Sequence, residues 1–188
     1  MNIFVLDNDP VIAAKYMCDK HVVKMIVETA QMLSTAHRYL DGTEYIDKTA
    51  TGRKVKRYKH PDHYVDEMLC KAVMINHPCT KWTIETNSNY LWLVRHGFSL
   101  LEEYRNRYDN IHSMQDLFSY HLMWQPYNIK RDELTPFAQA MPDKYKSSDA
   151  VEAYRNYYIH EKARFARWKN KNIPVWFQEG LTASTSMV

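Results

Sequence analysis

Residues 18–42, CDKHVVKMIVETAQMLSTAHRYLDG, decide the fold. No proline interrupts the run. Asp19 can cap its start, and Gly42 follows its last periodic residue as a stop, so the spacing predicts one long helix. Val22, Val23, Ile26, Ala30, Leu33 and Leu40 recur at helical spacing and make an apolar stripe. A second face steps by three or four through His21, Lys24, Glu28, Gln31, Thr35 and Arg38, flanked by Met25 and Met32. A carboxylate, an imidazole, an ammonium and a guanidinium on one face suit a site for a polar, anionic substrate. A polar stripe that is merely solvated is the competing explanation, with Lys24 and Glu28 an ordinary i,i+4 pair.

Outward from this helix, the 188 residues suffice for one domain with a core. The chain is 45% hydrophobic and 13% aromatic, which excludes disorder, and its four glycines are few for a many-turned β protein. The expected fold is mainly α: a compact single-domain helical bundle over 1–188, with two long central helices and irregular connecting loops. No run approaches the roughly 20 apolar residues of a membrane span. MNIFVLDNDP lacks the basic and apolar regions of a secretion signal. Three cysteines, an odd number, argue against a disulfide framework and fit a reducing cytoplasm.

Further elements follow in order. IFVL at 3–6 is a short strand or an extended lead-in. Asp7, Asn8 and Asp9 offer caps and Pro10 a first helical position for a short helix to about Met17. Residues 43–60 are a basic loop or β-like excursion, and 61–75 a helix with Val65, Met68, Leu69, Val73 and Met74 apolar. One or two turns occupy 79–86. Asn87 caps a second long helix, SNYLWLVRHGFSLLEEYRNRY, with Leu91, Val94, Phe98, Leu101 and Tyr104 inward and Gly97 marking a close helix approach. Ser113 opens another helix to 123. Pro126, Pro136 and Pro142 keep 124–148 irregular, its apolar LTPFAQAMP packing on the body or walling a substrate. A last helix runs from about Asp149 to Lys171, and 178–188 are a frayed tail.

Charge is unevenly spread. Residues 48–59 carry six cations and no acid, and 151–172 carry six cations against Glu152 and Glu161. Against a chain total of +3, the remainder is left at −7. Two basic segments on an acidic body read as a footprint for DNA or a nucleotide. Arg53, Lys54 and Arg57 lie in the first. In the second, Arg155, Tyr158, Lys162, Arg164 and Trp168 interleave cations with rings, so phosphates can pair while bases stack. A solvated rim around core aromatics is the competing explanation.

Two other chemistries are open to the residues. Cys18, His21, His77 and Cys79 make a feasible zinc set, though with unusually tight spacing in its second pair. Cys18 or Cys79 with a histidine allows nucleophilic catalysis. No glycine-rich phosphate loop and no G-x-S-x-G occur, which disfavours a P-loop enzyme or an α/β-hydrolase.

The order of a short lead, a helix carrying His21 and Glu28, the helix YLWLVRHGFSLLEEYRNRYD and an aromatic-basic C-terminal segment resembles the pyrimidine dimer DNA glycosylase/AP lyase family of viruses and bacteria. It is also similar to phage protein families. The first resemblance implies a compact all-α domain, no metal or cofactor, and cleavage of a damaged pyrimidine's glycosyl bond through an imine on the N-terminal α-amine. It implies Glu28 as the catalytic glutamate and His21 as the histidine two turns before it. Lys24 falls among substrate-contacting residues, and Arg155, Lys162 and Trp168 in a DNA-gripping part. In the glycosylase reading, His21 and Arg38 would hold phosphates. Position 2 differs: Asn2 follows Met1 where the family has a small residue. The second class of function is a non-catalytic nucleic-acid- or partner-binding phage accessory protein, serving DNA modification or anti-host defence. In either, DNA or a nucleotide is the partner and the cytoplasm of an infected bacterium the location. The oligomeric state is not legible.

Overall fold

A computed structural model describes residues 1–169 and 173–185. The chain is mainly helical. Helix α1 (Pro10–Tyr16) starts where the Asp9 carboxylate accepts from the amides of Val11 and Ile12, at 2.8 and 3.1 Å. Helix α2 (Asp19–Asp41) is the long helix of the opening stretch. Strands β1 (Thr43–Lys48) and β2 (Lys54–Lys59) pair antiparallel, Thr43 opposite Lys59 and Lys48 opposite Lys54. Then come α3 (His63–Met68), α4 (Pro78–Glu85) and the second long helix α5 (Asn87–Tyr108). The short α6 (Gln115–Leu117) runs into a π-helical turn, Phe118–Leu122. A 3₁₀ turn at Asp143–Tyr145 precedes α7 (Ala150–Lys162) and α8 (Val175–Thr185).

The core forms where α5 packs on α1 and α2, with α4 against both long helices. Gly97 permits this closeness: a Cβ there would lie 2.2 Å from the Phe118 ring and 3.1 Å from the Thr29 methyl of α2. The inward face of α5 centres on Tyr90, Leu93, Val94, Leu100 and Leu101, while Leu91 is 39% exposed. The face is rotated by about one residue from the one the apolar spacing suggested.

Two buried arginines fix the ends of α2. At its start, Arg107 binds Glu103 (2.8 Å), Asp19 (3.0 Å) and the Met17 carbonyl (2.8 Å). Asp19 is thus not the cap: Cys18 holds that position, and Asp19 also accepts from the Lys169 amide at 2.9 Å. At the far end, Arg38 donates to the carbonyls of Tyr58, Asp66, Leu69 and Cys70 and to the Asp66 carboxylate.

That second clamp shortens the helix expected over 61–75. Arg38 takes the carbonyls of Asp66, Leu69 and Cys70, and the Ser34 and Thr35 hydroxyls accept from the amides of Cys70 and Val73, each at 3.2 Å. The chain from Leu69 onward is therefore pinned to α2 instead of coiling. Likewise α7 stops at Lys162 and not Lys171: the Asp19 amide donates to the Arg167 carbonyl at 2.8 Å, laying 163–169 across the start of α2. Residues 178–185, expected to be part of a frayed tail, are instead helical, within α8. The tail's last residues, 186–188, lie outside the described residues, as does Lys171 itself. The expected basic loop is the β1–β2 hairpin. Its acids, Glu44 and Asp47, stand opposite Tyr58 and Val55 and reach the cations diagonally, Lys56 2.9 Å from Glu44 and Arg57 3.8 Å from Asp47. No described helix is long and apolar enough to cross a membrane.

Candidate active site

IFVL at 3–6 is an extended, buried lead-in that lays the N-terminus across the middle of α2. Asn2 shapes it. Its side-chain Oδ1 accepts from the amides of Ile3 (2.7 Å) and Phe4 (3.1 Å), and its Nδ2 donates to the Ala140 carbonyl at 2.8 Å. Phe4 adopts φ +50°, the left-handed region that a non-glycine residue enters only when its surroundings over-determine it. Its ring then stacks on His21, with centroids 4.4 Å apart.

The bend delivers the chain's first nitrogens to Glu28. The Asn2 amide donates to Glu28 Oε2 at 2.9 Å, and the Met1 amine lies 3.8 Å from the same oxygen. Lys24 Nζ is 3.3 Å from Oε1. The carboxylate is 13% exposed, largely shielded by protein yet open on one side, whereas Lys24 is 68% exposed at the rim. A carboxylate so placed can take a proton from an amine and stabilise positive charge developing beside it.

His21 serves the same bend differently. It is buried, its Nδ1 2.7 Å from the Tyr158 hydroxyl, and its pKa falls from 6.5 to about 3, chiefly through burial and then through the charges of Lys162 and Lys24. At neutral pH it is an uncharged ring supporting Phe4. Cys79 and His77 stand close by, both within the field of the N-terminus and Glu28. Burial pushes the Cys79 thiol up to about 12, so it stays protonated and is a poor nucleophile.

Other anticipated residues divide. Lys162 faces His21 electrostatically and lies over the Tyr157 ring, so the end of α7 borders the site. Arg164 is exposed over Phe165. Tyr158 and Trp168 are core: Tyr158 also accepts from the Cys18 amide at 2.9 Å, and Trp168 donates to the Tyr16 carbonyl at 3.0 Å. Arg155 binds the Leu6 carbonyl (2.9 Å) and Asp7 (3.3 Å), stacked over Tyr16 and Trp176. All five donors of Arg38 are engaged by its clamp. Gln31 is half-buried beyond Glu28 on α2. Arg53 and Lys54 are exposed at the hairpin tip, and Arg57 is partly buried against β1.

The zinc set is not assembled. His21 Nδ1 is spent on Tyr158, His77 Nδ1 accepts from the Cys79 amide at 3.2 Å, and Cys18, His21, His77 and Cys79 are absent from the ligand groupings of the described residues. Sequence reasoning missed Phe4 and the 138–140 strap. Tyr154 holds that strap through the Ala138 carbonyl and the Ala140 amide, at 2.8 and 3.2 Å. Only the apolar character of LTPFAQAMP hinted that it packs inward.

A family model described as pyrimidine dimer DNA glycosylase matches residues 1–116 of the chain. The chain belongs to that family. The match takes in the N-terminal lead, Glu28 and both long helices, and ends before the basic segment of α7. No curated protein and no solved structure matches. A glycosylase family of this kind takes DNA as its substrate, in keeping with the two cationic segments.

Proposed function

We propose that the protein is a DNA glycosylase with lyase activity that excises a damaged pyrimidine through its own N-terminal amine, with Glu28 as the acid–base group. The observation that carries this reading is the meeting of the first two backbone nitrogens with one carboxylate, at 2.9 and 3.8 Å. Were Met1 removed, the Asn2 nitrogen would itself become the amine, already in contact with Glu28. The Asn2 side chain has its own task in closing the bend, which explains a residue larger than the family norm there.

The chemistry runs in two steps. The neutral amine attacks the sugar C1′ as the C1′–base bond breaks, and the base leaves with that electron pair and takes a proton. Glu28 offsets the positive charge at C1′ and accepts the ammonium proton. The C1′–O4′ bond then breaks, O4′ taking up the proton held by Glu28, which opens the sugar and leaves an iminium linking C1′ to the chain; removal of a C2′ proton then expels the 3′ phosphate. Because the reacting carbon lies inside a duplex, the damaged nucleotides must be displaced from the stack toward this cleft.

Lys24 and Lys162 border the cleft and suit the flanking phosphates. The hairpin stands about 14 residues along α2 from Glu28, roughly 20 Å at 1.5 Å per residue. That is about six base pairs of duplex, so Arg53, Lys54 and Arg57 suit a more distant stretch of the same DNA. Arg38, Tyr158 and Trp168 are left out as DNA contacts, since their polar groups are committed inside the protein, while Arg155 spends Nε and Nη2 on Leu6 and Asp7. A DNA substrate and three free cysteines fit a reducing cytoplasm.

A panel of duplexes with a cyclobutane dimer, an abasic site or no lesion tests the reading. Incision confined to the first two is expected. Salt-dependent binding to all three, with no product from any, would make the chain a DNA-binding accessory protein instead.

A further inference from the structure

The far end of α2 holds a group of side chains that excision does not use. His37 and Asp41, one turn apart, meet His60, the residue that follows β2. One ligand atom from each lies within 4.8 Å of the others. They line a cavity of about 210 Å³ with His121, Trp124 and Tyr127. His121 comes from the π-helical turn, a distortion frequent at functional sites. The cluster is roughly 14 Å along α2 from Glu28.

Each member is oriented by a hydrogen bond behind it, as ligands of a metal ion are. His37 Nε2 lies 3.0 Å from the Trp124 carbonyl and 2.9 Å from the Tyr90 hydroxyl, which itself donates to the Leu122 carbonyl. A carbonyl can only accept, so Nε2 carries the proton and Nδ1 keeps the lone pair. The Asp41 carboxylate accepts from the Tyr127 and Asn128 amides, at 2.8 and 2.9 Å, and from Asn128 Nδ2 at 3.0 Å. His60 is fixed by its own amide, which donates to Asp66 at 2.7 Å. Its Nδ1 faces the Asp62 backbone, 3.2 Å from the amide and 3.4 Å from the carbonyl. Nδ1 accepts from that amide, and Nε2 faces the cluster; taking an ion there requires the tautomer in which the proton moves to Nδ1 and onto the Asp62 carbonyl.

We propose that His37, Asp41 and His60 form a binding site for a divalent transition-metal ion of the zinc class, with His121 on its open side. Two imidazoles and one carboxylate suit zinc and its neighbours over Mg²⁺ or Ca²⁺, which prefer oxygen. A common centre about 2.0–2.2 Å from each donor needs them roughly 3.5 Å apart, so the three side chains draw in by about an ångström on binding. The ion joins the end of α2, the base of the hairpin and the π-helical turn, and so braces the hairpin that carries the outer cationic segment. It takes no part in the reaction at Glu28.

Zinc titration of the untagged full-length chain by calorimetry tests the site, repeated on His60→Gln, Asp41→Asn and Glu28→Gln. The expected result is one zinc per chain, at least about tenfold weaker in the first two variants and unchanged in Glu28→Gln. No binding at micromolar zinc, equal binding of Mg²⁺, or affinity unchanged in both ligand variants would overturn the proposal. Should a ligand variant fail to fold, histidine ring NMR of the parent chain decides: zinc must shift His37 and His60 together and leave His77 in place, and the reverse pattern refutes the site.

Discussion

Replacing Glu28 by glutamine removes one negative charge and little else. The amide oxygen can still accept from the Asn2 amide, now 2.9 Å from Oε2, so the bend of the N-terminal lead should persist. What disappears is the attraction between a carboxylate and a positive centre at the amine. At the 3.8 Å observed, and with an effective dielectric of about 20 for a partly shielded pair, that attraction is about 4 kcal/mol. At 1.36 kcal/mol per decade, it amounts to about a thousandfold in rate. Loss of proton transfer falls in the same range, 10²–10⁴. Single-turnover cleavage of a dimer-containing duplex, with enzyme in excess, reads the chemical step directly. The expected outcome is a rate about a thousandfold lower with DNA affinity within a few-fold of the parent. A variant within tenfold of the parent rate would refute the electrostatic argument.

Three other outcomes follow from the structure. His21, His37 and His96 are buried and neutral in the metal-free chain, with pKa values lowered from 6.5 to about 3, about 4 and about 4, mainly by burial. Their stabilisation is full above pH 6.5 and is lost as pH falls toward those values; together they should cost about 6 kcal/mol between pH 7.5 and 5 in denaturant melts, and a flat profile would contradict this. Arg38→Lys leaves at least two of five hydrogen bonds unmade, so it should destabilise by about 3 kcal/mol while leaving the salt dependence of DNA binding unchanged. Arg53→Ala with Lys54→Ala should reduce the slope of log affinity against log salt by up to about 2, and an unaltered slope would remove the hairpin tip from the interface.

What could be read from the sequence was what local physics decides. The start of α1, the Gly42 end of α2, the Asp149 start of α7 and the close approach at Gly97 each follow from a cap, a stop or a missing side chain within a few residues, whereas the start of α2 rests on Arg107, some ninety residues later. The helix expected over 61–75 was truncated because Arg38, some thirty residues earlier, claims its carbonyls. The basic run was legible only as a loop or a β-like excursion, because its alternation is short and its partner strand, with Glu44 and Asp47, precedes it. Glu28 and His21 were legible as one face of a helix. That Asn2 meets Glu28 across 26 residues was not, since no periodicity encodes a contact made by an extended lead. The same limit concealed His60 beside His37 and Asp41.

The central claim is that the α-amine facing Glu28 is the nucleophile. Borohydride reduction during reaction with a dimer-containing duplex, followed by digestion and mass analysis of the adduct, tests it most directly. The account predicts that DNA is captured on the N-terminal peptide, on the nitrogen of whichever of Met1 or Asn2 begins the mature chain. Capture on Lys24, or strand cleavage with no adduct at all, would contradict it.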